Sequence, residues 1–348
     1  MPHIERLLEE LTNAYGPSGF EGPVRAIMQR EMSPLADHME TDGLGSLISV
    51  LRGNSEAPRI MMAAHMDEVG LMVKYITPEG YIKFQPLGGW LDQALINQRW
   101  MLLTRLGTVY GVTGLKTIHV MLPEERKQVF KKEQMFLDVG ATSRKDAEDR
   151  LGIRPGDPIA PDSRFTVLNG GKLYLAKAWD DRVGLAVMVE VMRSLKDSLP
   201  PNTVYAVSTT QEEVGLRGAG TSAFAIQPDV GIAIDTTLCV DTPGVPEDQS
   251  VTRQGAGAAL TVMDSSFISD LDLYDQLEAI AKRRKITTQR SILPRGGTDS
   301  GTMQRAGSGA RVLTLSCPTR YIHTVTEMVH LDDLHACRDL LGAYLAEA

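Results

Sequence analysis

Five places in this 348-residue chain put imidazole or carboxylate side chains at the end of an apolar run or next to one. "IMMAAHMD" (60–67) ends in His65 and Asp67, and "AWDDRVG" (178–184) sets Asp180 and Asp181 ahead of a long apolar segment. "AVSTTQEEVG" (206–215) delivers adjacent Glu212 and Glu213, "GIAIDTT" (231–237) carries Asp235, and "RYIHT" (320–324) carries His323. Each alone has an ordinary reading. A histidine after a strand is commonly a loop residue, paired aspartates before a helix are commonly a cap, and adjacent glutamates are commonly a solvated turn. Their convergence changes the balance, because separate apolar runs each end in a possible metal ligand. Histidine with aspartate and glutamate, and no cysteine, is a donor set suited to zinc, cobalt or manganese. His65 and Asp67 are two apart, so on a strand they project to the same side and Asp67 can orient the imidazole. Five such groups with one shared carboxylate suit two cations about 3.5–4 Å apart.

The elements that would carry these groups are strands and helices in alternation. "PRIMMAAH", "TVYAVSTT", "DVGIAIDTT" and "ARVLTLSCP" read as strands; 181–197, 272–286 and the last segment have apolar residues at helical spacing. This pattern predicts an α/β fold with a mixed, mostly parallel sheet covered by helices. Ligands then bind at the carboxyl ends of the strands, where the five groups fall. Residues 71–165 differ, with short strands and frequent glycine, and predict an inserted small β-barrel-like domain. The expected organisation is therefore a discontinuous catalytic unit, 1–70 with 166–348, around an insert at 71–165. Ser18 with Glu21 reads as a capping box for a helix opening near Gly22, and "PEERKQVFKKEQM" (123–135) reads as a short helix within the insert.

Composition narrows the function classes. Hydrophobic residues at 43% allow a large core, and the net charge of −8 argues against nucleic acid or an anionic membrane as partner. Three scattered cysteines, Cys239, Cys317 and Cys337, suggest free thiols in a reducing compartment. The acidic, amphipathic first segment lacks a secretory pattern, and no apolar run approaches the ~20 residues needed to cross a bilayer. A cytoplasmic protein is expected.

Six motifs in order, "AAHMDEVG" (63–70), "KAWDDRVG" (177–184), "QEEVGLRGAG" (211–220), "AIDTT" (233–237), "GGTDSG" (296–301) and "TRYIHT" (319–324), resemble those of the tetrahedral aminopeptidases. "DGLGS", "PLGGW" and "GIRPGD" match as well, so the resemblance runs nearly the full length. That family comprises dinuclear metallo-peptidases, including glutamyl and deblocking aminopeptidases, with some members formerly labelled endoglucanases. The resemblance implies a zinc-peptidase-like catalytic domain. It implies that His65, Asp180 and Asp235 hold one zinc or cobalt ion, and that Glu213, His323 and the same Asp180 hold another. It makes Glu212 the general base and Asp67 the carboxylate behind the metal-bound histidine. It further implies a cis peptide between Asp180 and Asp181, peptide substrates with a free amino terminus, and homo-oligomers, up to a dodecamer, built through the insert.

The chemistry agrees with those roles. A water activated by divalent cations needs a nearby carboxylate that is not itself consumed as a ligand, and Glu212 can take and return its proton. Other candidates are weaker: "PRGGTDSGTM" as backbone near the substrate, His119 as a group reaching a neighbouring subunit, and Arg217 as a partner for an acidic substrate. His330 and His335 read as structural, and "KRRK" (282–285) as a solvated helix end. The alternative within enzymes is another metal-dependent amidohydrolase, a deacylase or carboxypeptidase; the latter needs a basic clamp that the motifs do not show. A glycosidase needs two uncommitted carboxylates, and a binding module has no use for Glu212.

Overall fold

The protein is described by a computed structural model over residues 3–348. Its centre is built from the most continuously apolar runs. Ser55–His65 lies between Asn202–Thr209 and Val230–Leu238, parallel to both, and Arg311–Arg320 extends the parallel set. Helices cover both faces here, which is why Met61, Met62, Ala63 and Ala64 are all buried without polar alternation. Pairing turns antiparallel on the flanks. Leu47–Leu51 and His38–Thr41 complete one side; Glu327–His330, Leu173–Ala176 and Thr166–Leu168 complete the other. Ala258–Met263 pairs antiparallel with Arg311–Arg320 and parallel with Thr288–Ile292, which brings the sheet to eleven strands. The sheet is mixed, as the sequence predicts, with parallel pairing concentrated at its centre.

Register carries the site-forming residues to one edge. His65 pairs with Thr209 and Asp235 with Ser316, so the carboxyl ends of the central strands open on the same side. Helix Trp179–Asp197 starts at that edge and is buried along most of its length between the central strands and the last helix, Leu331–Glu347. Helix Arg217–Ile226 covers the opposite face over Ile48, Met61 and Val207.

The insert forms a closed six-stranded barrel, starting with Gly70–Ile76 and closing with Pro158–Pro161. It has its own core, with Leu71, Val73, Ile82, Trp100, Leu102, Leu137 and Ile159 inside. The buried Trp100 indole donates to Thr113 Oγ1 at 3.1 Å, the partner that a buried tryptophan N–H requires.

Two local expectations fail. The capping box does not form: the helix begins at Gly22 behind Glu21, but the Ser18 hydroxyl donates to Asp67 Oδ2 at 2.6 Å, and Glu21 Oε1 accepts the Gly19 N–H at 2.7 Å. Residues 123–135 hold two separate single 3₁₀ turns, Glu125–Lys127 and Lys132–Gln134, in place of one helix. Their apolar residues are too few to anchor a helical face, because Val129 is exposed and only Met135 is buried. Cys239, Cys317 and Cys337 are free and buried. Among the described residues no helix is long and apolar enough to cross a membrane.

Candidate metal centre

His65 is the last residue of its strand and is buried. Its Nδ1 lies 3.0 Å from the main-chain oxygen of Asp67, and its Nε2 lies 3.1 Å from Asp180 Oδ1. His323 has the same arrangement: Nδ1 is 2.8 Å from the Gly89 carbonyl, and Nε2 is 3.2 Å from Glu213 Oε2 and 3.4 Å from Asp180 Oδ2. A carbonyl only accepts, so each Nδ1 carries a proton, and each Nε2 is the nitrogen that faces the carboxylates. Asp180 therefore lies between the two imidazoles, one oxygen toward each. Asp235, near the end of Val230–Leu238, is buried at the same edge.

Asp67 does more than back the histidine. Its carboxylate lies 3.5 Å from His65 Nδ1, yet it accepts the backbone N–H groups of Glu212 at 2.9 Å and Glu213 at 3.1 Å, as well as the Ser18 hydroxyl. Asp67 thus holds the turn that carries both glutamates. It also lies just beyond the strand that ends at His65, so a shared strand face does not explain the pairing. Asp181 behaves as the cap reading predicts. Its two oxygens accept the N–H groups of Gly184 at 3.0 Å and His65 at 3.1 Å. Gly184 has to be glycine, because a Cβ there would sit 2.4 Å from the Asp181 carboxylate. The peptide between Asp180 and Asp181 is cis.

The charges are unbalanced in a telling direction. Burial pushes the carboxyl of Asp235 well above its ordinary value, and the charge on Asp180 adds to this. Burial does the same to Glu212, where His65 opposes the shift and Asp235 and Glu213 reinforce it. Burial opposes charge on Asp180 too, but its hydrogen bonds to His323 and His65 prevail and hold it low. Burial alone would lower His65, but Glu212, Asp180 and Asp67 raise it well above the usual imidazole range. The cluster therefore draws in positive charge.

These residues fit divalent cations. Ligand atoms of His65, Asp180 and Glu213 lie within 4.8 Å of one another, as do those of His65, Asp181 and Asp235. Glu213 Oε1 is buried with no hydrogen-bond partner, an expensive state for a carboxylate oxygen unless a cation satisfies it. Asp181 stands in the second set where the sequence suggests Asp180, but both its oxygens are already taken by backbone N–H groups.

The groups line a cleft of about 610 Å³ whose walls also include Leu216, Ser266, Arg295, Thr298 and Ile322. The "PRGGTDSGTM" glycines Gly296 and Gly297 lie on this wall, whereas Arg217 and His119 do not. Arg217 donates to Gln211 Oε1 at 2.9 Å, bracing the glutamate turn, and His119 is exposed on the short turn Ile118–Val120. Three participants escape sequence reasoning. Glu327 accepts the backbone N–H groups of both Asp180 and His323. Asp299, buried with one unpartnered oxygen, is pushed up to about 6 by burial. The Gly88–Gly89 turn of the insert packs on the site: at Gly88, with φ +79°, a Cβ would lie 3.1 Å from Glu213 Oε2. The "PLGGW" glycines hint at the last of these, since paired glycines mark a close backbone approach, and the "GGTDSG" motif contains Asp299 without giving it a role.

Comparison with known proteins gives the same direction. The family model for M42 glutamyl aminopeptidase matches residues 45–340. The glutamyl aminopeptidase of Lactococcus lactis subsp. cremoris is 35% identical over 341 residues, covering 97% of this chain and 94% of its own. The crystal structure of a TET aminopeptidase from the marine sediment archaeon Thaumarchaeota archaeon SCGC AB-539-E09 is 39% identical, with a TM-score of 0.96, over 99% of this chain and 96% of that one. The TET1 peptidase of Pyrococcus horikoshii, described as assembling into a tetrahedron or a large octahedral shell, is 32% identical with a TM-score of 0.89, over 99% and 100%. Family match, near-complete coverage and a clustered histidine–carboxylate site together make this chain a member of the M42 family of metal-dependent aminopeptidases, hydrolases of peptide bonds.

Proposed function

We propose that the enzyme is a dinuclear aminopeptidase that removes residues from the free amino terminus of peptides, with Glu212 as general base. In this reading His65 and Asp235 hold one zinc or cobalt ion, Glu213 and His323 hold a second, and Asp180 is shared. The chemistry such ions supply is Lewis acidity, which makes water acidic enough to react near neutral pH and polarises a peptide carbonyl. Glu212 takes the proton of that water and returns it to the departing amine. Asp67, through the backbone of residues 212 and 213, keeps the base and the ligand Glu213 pointing to separate tasks. The observation that carries the reading is Asp180 between His65 and His323, one oxygen toward each.

The test uses protein stripped by a chelator and assayed on a panel of aminoacyl-p-nitroanilides. Turnover should vanish on stripping, return with zinc or cobalt, and be absent on amino-acetylated analogues. No turnover of any free-amine substrate after reconstitution would sink the proposal.

We also infer that the chain works in the cytoplasm as a homo-oligomer, with 1–70 and 166–348 as the catalytic unit and the barrel region, 71–165, as the assembling one. The assembly of the Pyrococcus relative supports this, as do the exposed apolar side chains Leu91, Leu106, Ile118, Val120, Leu122 and Val129 on the insert. The acidic balance and free thiols support the compartment. Light scattering on purified protein should return a mass that is a multiple of the 38.0 kDa chain, with a dodecamer the expected limit. A stable monomer contradicts the assembly.

A further inference from the structure

We propose that Glu327 is a positioning residue that sets the placement of Asp180 relative to His323, and with it the tightness of the cation those two residues would share. This inference rests on the two-cation reading above. Glu327 opens the strand Glu327–His330 and is 1% exposed. Its Oε2 accepts the N–H of Asp180 at 3.0 Å, and its Oε1 accepts the N–H of His323 at 3.0 Å. One carboxylate thus joins the main chains of two candidate ligands that lie far apart in sequence.

Neither ligand is held by its own local backbone. His323 sits at φ +60°, in the left-handed region, where a residue with a side chain costs roughly 1–2 kcal/mol. Asp180 sits at ψ 102° and Asp181 at ψ 43°, both outside the helical region at the start of Trp179–Asp197, so no helical hydrogen-bond ladder fixes Asp180 two residues after the left-handed Ala178. The left-handed conformation of His323 persists only where surrounding groups over-determine it. Glu327 does so from a fixed platform: its strand pairs with Leu173–Ala176, the strand that leads into Asp180, and Glu327 itself is opposite Ala176.

The side-chain chemistry is specific. Two N–H donors need two acceptors, which a carboxylate offers and an amide does not. A glutamine here satisfies one donor and turns its own NH₂ toward the other. Burying a carboxylate beside Asp180 is also costly, so a residue kept only to fill space would be apolar.

The experiment compares wild type, Glu327→Gln and Glu327→Asp after metal removal. Zinc affinity and stoichiometry are read by competition with a chromophoric chelator, and the melting temperature of the metal-free protein is read beside them. Expected is a loss of about 10–100-fold in affinity for one of two zinc ions in Glu327→Gln. Glu327→Asp, which keeps both acceptor oxygens on a shorter stem, should fall between this variant and wild type, and it decides the matter if the glutamine variant does not fold. Unchanged affinity in a folded variant overturns the proposal. A lowered metal-free melting temperature with unchanged affinity also overturns it, since that is the signature of a merely structural role. Wild type taking up fewer than two ions instead overturns the two-cation reading, and this inference falls with it.

Discussion

Glu212→Gln is expected to lower kcat by about 10²–10⁴-fold, the usual contribution of a positioned general base, while zinc content stays at the wild-type level. The reason lies in how the side chain is held. Its backbone N–H is anchored by Asp67, and the carboxylate is buried 3.9 Å from His65 Nε2. Glutamine has the same shape and leaves that anchor intact, so the turn should not move. It cannot accept a proton from water at neutral pH. Turnover of an aminoacyl-p-nitroanilide, with metal analysis of the same preparation, separates the outcomes. Wild-type kcat would exclude Glu212 as base. Loss of metal along with activity would mean that Glu212 is a ligand and that the two glutamates exchange roles.

The second large effect is expected from Asp180→Asn. The substitution preserves volume and keeps the backbone N–H that Glu327 accepts. It replaces one oxygen by an amide nitrogen that cannot bind a cation. Because Asp180 directs one oxygen to each imidazole, whichever way the amide turns, one of the two positions loses its shared ligand. Cation affinity should fall by more than the roughly 10–100-fold typical of losing a supporting hydrogen bond around a metal, and turnover with it. Equilibrium dialysis followed by metal analysis measures this directly. Two ions retained at wild-type affinity would exclude Asp180 as the shared ligand.

These experiments act on residues that the sequence already singles out, and the reason is physical. A central parallel strand covered on both faces must be apolar throughout, so a histidine or carboxylate at its carboxyl end stands out against Ile60–Ala64 or Val230–Ile234. Topology then brings such ends to one edge, and His65, Asp180, Glu213 and His323 do meet there. The barrel was legible for a similar reason, as short runs bounded by glycine.

What the sequence determined by itself was therefore the kind of chemistry and the elements that carry it: donor types, their order along the chain, a mixed α/β sheet and a β-rich insert. Which oxygen faces which donor was decided only by tertiary pairing. Ser18 has the spacing of a cap, yet its hydroxyl is taken by Asp67, 49 positions away. Glu327 looks like any strand residue until the sheet sets it against Asp180, 147 positions away. Gly89 follows the barrel strand Ile82–Leu87, yet its carbonyl orients His323, 234 positions away. Periodicity and spacing record only neighbours within a few residues. A buried carboxylate is satisfied by whichever N–H groups the folded chain brings to it, and that choice is made by the packing of the sheet.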